Sequence, residues 1–119
     1  MDEERFRVEF LEDAVKFIDE LDEKTRDKVL YNIWRAKRTN VKELFKKLQN
    51  EIWEFRTKYN KAQIRLLAFW DKSDKQDTVV VSTNAFLKKT SKVPQKEIDK
   101  AERLRNQYFN DKNKDNENI

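Results

Sequence analysis

The chain has no cysteine, no histidine and no glycine, and its only proline is Pro94, in 119 residues. Without cysteine there is no disulfide, no thiolate metal site and no cysteine nucleophile. Without histidine the commonest general base near neutral pH and the commonest zinc ligand are both missing, so neither a metal site nor a cofactor is expected. The absence of glycine excludes a glycine-rich phosphate loop. No apolar run approaches the length of a membrane span, and the acidic opening "MDEERF" is not a signal peptide. No membrane partner is therefore expected, and a cytoplasmic location is.

What is present is charge. Charged residues make up 42% of the chain and hydrophobic ones 37%, at a length that fits one modest core. The net charge of +4 hides a division: residues 1–28 carry eleven acids and six bases, and residues 29–119 carry 21 bases and twelve acids. A basic body suits an anionic partner, while the plainer reading of the same lysines is a solubilising surface.

The periodicity predicts α+β architecture. "FRVEF" at 6–10 alternates as a half-buried strand, with Phe6, Val8 and Phe10 on one face. Phe10, Ala14, Phe17, Ile18 and Leu21 then recur at helical spacing. Asp22 is placed to cap a second helix with the stripe Val29, Leu30, Ile33 and Trp34, giving a helical hairpin. Asn40 and Glu43 resemble a capping box for a short third helix with Val41, Leu44, Phe45 and Leu48 on its apolar side. Three strands are expected at 51–57, 63–70 and 78–86, joined by short polar connectors. Pro94 suits the first turn of a last helix with the stripe Ile98, Ala101, Leu104 and Tyr108. The expected organisation is one domain over 1–109, a small mainly antiparallel sheet with helices on one face, and a disordered polar tail over 110–119.

Strand parity sorts the candidate site residues. The wholly apolar face of the third strand (Ile64, Leu66, Ala68, Trp70) belongs against helices. The mixed faces then form a wet surface holding Arg56, Arg65, Ser82 and Asn84, joined by Lys88. Two arginines beside a lysine suit phosphate oxygens, and Phe69 and Phe86 on the same face are placed to stack bases. The plainer alternative pairs Arg56 with Glu54 on a face left open to water. Lys88, Lys89 and Lys92 sit between a strand end and a helix N-terminus, where unpaired amides and the helix dipole also favour an anion.

"IWEFR" at 52–56, "IRLLAFW" at 64–70 and "NAFLKKTSKVPQKEIDKAERL" at 84–104 resemble the phage-derived HigB-like branch of the RelE toxin superfamily. The resemblance covers residues 5–108 in element order and is sharpest over 52–104, in the register of Phe86, Lys88, Lys89, Pro94, Glu97, Ile98 and Ala101. It implies a RelE-like fold and the toxin of a toxin–antitoxin pair: an endoribonuclease that cuts messenger RNA in the ribosomal A site and is held by a helix-turn-helix antitoxin. The implied chemistry needs no metal. A ribose 2′-hydroxyl attacks the adjacent phosphate, and cations stabilise the charge that builds there.

The resemblance carries over to Glu54 and Arg56, to Arg65, and to the lysine pair Lys88 and Lys89. Arg56 and Arg65 are the implied phosphate clamps, with Lys88 as a third catalytic cation. Lys89, Lys92, Asn84 and Phe86 are RNA contacts, and Glu54 is a candidate acid or base. The chain departs from the family pattern where a histidine, a glycine and a tyrosine are usual: these positions hold Asn84, Ala85 and Ile64. A lysine, Glu54 or ribosomal RNA then does the proton work, or catalysis is weak. The runner-up is a member of the same fold that binds RNA or its antitoxin and cuts nothing. A third reading is a scaffold whose basic face takes an acidic protein segment.

Overall fold

The computed structural model describes residues 3–117; Met1, Asp2, Asn118 and Ile119, and what was expected of them, lie outside the described residues. The elements run β1 (Arg7–Phe10), α1 (Glu12–Asp19), α2 (Glu23–Arg38), β2 (Phe45–Gln49), β3 (Ile52–Tyr59), β4 (Ala62–Asp71), β5 (Val79–Leu87) and α3 (Gln95–Glu117). The five strands form one sheet in the order β1-β5-β4-β3-β2. β1 lies parallel to β5 and every other pair is antiparallel. The α+β class, the helical hairpin and the C-terminal helix are as the sequence predicts. Asp22 caps α2 as expected, accepting from the Thr25 amide at 3.2 Å and the Thr25 hydroxyl at 2.6 Å.

Three expectations are corrected. The stretch from Val41 to Leu48 is not a helix. The amides of Leu44 and Phe45 both bond to the Val41 carbonyl, one turn closes, and the chain then extends as β2. Val41, Leu44, Phe45 and Leu48 fit the helical period, but Phe45 gains more as a strand residue. Its ring stacks on Phe55 at 4.3 Å and Trp53 at 5.0 Å and meets Phe6 at 5.4 Å.

Helices also cover both faces of the sheet. α1 and α2 bury Ile18, Val29 and Ile33 against Phe55, Ile64, Leu66 and Val80. α3 buries Ile98 and Ala101 on the opposite face, against Ile52, Leu67, Phe69, Val81 and Phe86. The expected wet face is therefore largely a second core. A bulge contributes to the misreading of β5: Leu66 pairs with Ala85 but Ala68 pairs with Ser82, so β5 carries one extra residue there. Ser82 and Thr83 both direct hydroxyls to the Leu67 carbonyl at that irregularity. Val79 and Val81 consequently face α3, whereas Ala85 faces the helical hairpin.

The third correction is the tail. α3 continues through Asn110 to Glu117. Its C-terminal half is held by Asp71 at the end of β4, which is buried and accepts from Tyr108 Oη at 2.7 Å and Lys112 Nζ at 2.7 Å. Ser73 adds its hydroxyl and its amide. Burial alone would raise the Asp71 pKa, but the bonds from Lys112, Ser73 and Tyr108 outweigh it and hold the carboxyl well below the ordinary carboxylate range. Its contribution to stability is complete above the unfolded carboxylate pKa of about 3.9 and is lost as pH falls toward the depressed folded value. Asp71→Asn is thus expected to lose roughly 1.5–3 kcal/mol at pH 7, the scale of a hydrogen bond to a charged group. Thermal unfolding at pH 7 and pH 3 checks this. The gap between parent and variant narrows at the lower pH, and an unchanged gap contradicts the staple.

Candidate functional site

A cleft on the α3 side of the sheet lies at the N-terminal end of α3, among β2, β3, β4 and the turn after β5. Cross-strand register builds the site there. Lys46 on β2 stands opposite Glu54 on β3, and Arg56 on β3 stands opposite Arg65 on β4. These side chains, with Lys88 and Lys92 from the turn after β5, line a cleft of about 340 Å³. Ser91, Val93 and Gln95 close it on the side of the helix start. Five cations and one carboxylate thus share a single concavity.

The one carboxylate is committed. Arg65 Nε lies 2.9 Å from Glu54 Oε1, and the two residues are 3% and 2% exposed. The contact is close but bent, so neither atom completes a well-aligned hydrogen bond. Arg65 spends its other nitrogens on the chain: Nη2 donates to Gln63 Oε1 at 3.2 Å and Nη1 to the Ile64 carbonyl at 3.4 Å. Burial pulls the Arg65 pKa below the ordinary guanidinium value; Glu54 opposes that and the charge of Arg56 reinforces it. Arg65 is therefore a floor residue, not an open phosphate clamp.

Arg56 differs. It is half-buried, its Nε is buried without a partner, and it forms no ion pair among the described residues. Lys46, Lys88 and Lys92 likewise form no ion pair among the described residues. The positive end of α3 points the same way: the Pro94 carbonyl accepts from Glu97 and Ile98, and the amides just before them are unpaired within the helix. Phosphate oxygens match this donor set, and guanidinium and ammonium groups bind them without a metal. Among the described residues no three metal-ligating side chains gather.

The remaining predicted residues fall elsewhere. Lys89 is exposed and outside the cleft lining. Phe86 is 9% exposed beneath α3 and has no face for a base. Phe69 is fully buried against Tyr108 and Phe109. Asn84 is buried too: its Nδ2 donates to the Glu97 carbonyl and carboxylate at 3.2 and 3.1 Å, and its Oδ1 accepts from Thr83 at 2.6 Å. Asn84 locks the start of α3 to β5 and does not reach the cleft. Ile64 is sealed in the core under the helical hairpin. Lys46 is the residue that sequence reasoning misses, because the period around it reads as helix. The signal is the run Phe45-Lys46-Lys47-Leu48, in which a strand reading puts Lys46 on the face of Glu54 and Arg56.

The family model described as "Phage derived protein Gp49-like (DUF891)" matches residues 16–106, a span that includes every residue lining the cleft. No curated protein matches the chain.

Proposed function

We propose a function from one premise: the chain belongs to the Gp49-like family of phage-derived proteins, a RelE-like and toxin-like family. Within that family we read it as a HigB-like toxin of a toxin–antitoxin pair, a ribosome-dependent endonuclease for messenger RNA. The observation that carries this reading is the cleft whose four outer cations have no carboxylate of their own. A solubilising surface spreads its lysines; here they converge on a concavity with a fixed ion pair as its floor.

In this reading the RNA backbone enters between the turn after β5 and the edge of β2. A ribose 2′-hydroxyl attacks the adjacent phosphorus, the bond to the next nucleotide's 5′-oxygen breaks, and a 2′,3′-cyclic phosphate and a 5′-hydroxyl result. Arg56 and Lys88 take the charge that develops on the phosphoryl oxygens. Arg65, pinned by Glu54, Gln63 and the Ile64 carbonyl, keeps the β3–β4 face rigid beneath them. Glu54 is buried against Arg65, so the 2′-hydroxyl proton is taken by a group of the ribosomal RNA. The leaving 5′-oxygen takes a proton from a lysine ammonium of the rim.

A second reading is favoured by Asn84 and Ile64. Both are buried, and neither supplies an acid or base where the resemblance places histidine and tyrosine. A protein that grips ribosome-bound RNA without cutting it fits those two positions. Ribosome co-sedimentation across a salt series tests the part common to both readings. Replacing Lys88 and Lys92 by alanine is expected to weaken binding and to flatten the log–log salt dependence by roughly 0.7–0.9 for each phosphate that is no longer neutralised. Folding stability hardly changes, because Lys92 is exposed, Lys88 is only half-buried, and neither forms an ion pair among the described residues. An unaltered slope would mean that these lysines serve solubility alone.

A further inference from the structure

A second concavity lies at the other end of α3, away from the cationic cleft. It measures about 570 Å³ and runs between the first turn of α1 and the C-terminal half of α3. Its floor is apolar, formed by half-buried Leu11, Leu104 and Tyr108. Its rim is acidic on both sides, with Glu12 and Asp13 on α1 facing Asp111 and Asp115 on α3.

The one cation in the lining does not neutralise that rim. Lys112 directs its ammonium to Asp71 at 2.7 Å and to Ser73 at 2.8 Å. Asp13 is already paired, to Lys100 at 2.7 Å. Glu12, Asp111 and Asp115 form no ion pair among the described residues. An acidic groove is unexpected on a chain whose net charge is +4, and acids facing each other across apolar floor repel unless cations come between them. From Leu104 to Asp115 is three helical turns, a length of about 16 Å at the helical rise of about 1.5 Å per residue. A single small cation does not span that length, and a stretch of polypeptide does.

We infer that this groove is a docking site for a basic amphipathic segment of a protein partner. The segment lays apolar side chains on Leu11, Leu104 and Tyr108 and places lysine or arginine on both acidic rims. An RNA partner is excluded here by the sign of the charge. The inference is independent of the proposed RNA cleavage, because none of its residues lines the cationic cleft.

The test uses a synthetic helical peptide of leucines on one face and lysines on both flanks, and a counterpart with glutamate for every lysine. Each is titrated into the isotope-labelled full chain while the amide spectrum is followed. The lysine peptide is expected to move the signals of Glu12, Leu104, Asp111 and Asp115 in a saturable way, and the glutamate peptide is not. The double variant Asp111→Lys, Asp115→Lys alters two exposed side chains, and its melting temperature checks that it stays folded. It is expected to bind the lysine peptide roughly tenfold more weakly or worse. The neutral double variant Asp111→Asn, Asp115→Asn is expected to fall between. Equal binding by parent and charge-reversed variant overturns the inference. So do shifts that spread over other acidic surfaces, or concentration-dependent self-association of the parent that the charge reversal abolishes, which would make the occupant a second copy of this chain.

Discussion

Arg65→Ala is expected to destabilise the fold by about 3–5 kcal/mol, because it leaves the Glu54 carboxylate buried at 2% exposure without its ion-pair partner. For a domain of this size that is a fall in melting temperature of roughly 10–20 °C. The destabilisation comes from the orphaned partner, not from the intrinsic worth of the pair. Replacing both members by apolar residues of similar size, Glu54→Leu with Arg65→Met, is therefore expected to recover most of the stability while the cleft loses its floor charge. A calorimetric comparison of parent, single and double variants checks this. A single variant as stable as the parent would show that Arg65 is not the counter-ion Glu54 depends on. The result also separates two meanings of impaired activity at this position, since Arg65→Ala is expected to lose function by unfolding.

Arg56→Ala gives the opposite pattern. Arg56 is half-buried, makes no ion pair among the described residues, and shares the cleft with Lys46, Lys88 and Lys92. Its removal leaves no carboxylate orphaned, so the melting temperature is expected to stay within a few degrees of the parent's. Cleavage is where the deficit appears: removing one preorganised donor at a developing oxyanion commonly costs about 2.7–4 kcal/mol, on the order of a hundred- to a thousandfold in rate. Arg56→Lys is expected to recover only part of it, because a point charge lacks the planar fork that holds two phosphate oxygens. Single-turnover cleavage rates at saturating ribosomes, measured beside the melting curves, test the division of labour between the two arginines. A folded Arg56→Ala protein that cuts at the parental rate contradicts the role given to Arg56.

Local signals are enough for much of the fold. The runs "IWEFR" and "IRLLAFW" mark β3 and β4, whose Phe55, Ile64, Leu66 and Ala68 pack in the core under the helical hairpin, and Asp22 marks the start of α2 because its carboxylate has an adjacent amide to bond. The failures share a cause: the deciding contact is distant in sequence. Phe45 belongs to a strand because Phe55, Trp53 and Phe6 surround it, and the period of its own neighbours is ambiguous. The polar run after Asn110 stays helical to Glu117, with Lys112 reaching Asp71 across 41 residues. The bulge at Ser82–Asn84 exchanges the faces of β5, which strict alternation does not anticipate.

The candidate site is legible in part for a related reason. Glu54, Arg56 and Arg65 come from adjacent strands, so parity alone brings them to one face, and Lys88 and Lys92 follow from the turn. Parity does not reveal depth. It puts Phe86 and Asn84 on the same face as Arg65, and α3 then covers them. One clue is available in the residues themselves: Leu67, Phe69 and Phe86 are too much apolar surface to leave in water on so small a sheet.

The proposed activity is cleavage of messenger RNA on the ribosome by the cationic cleft. Purified protein added to ribosomes stalled on a defined message, with the fragment ends mapped, tests it most directly. The account predicts breaks confined to the decoding site, upstream fragments ending in 2′,3′-cyclic phosphate, and no breaks with Arg56→Ala on the same timescale. Intact message at protein concentrations that saturate the ribosome would contradict it and leave the protein as an RNA-binding member of its family.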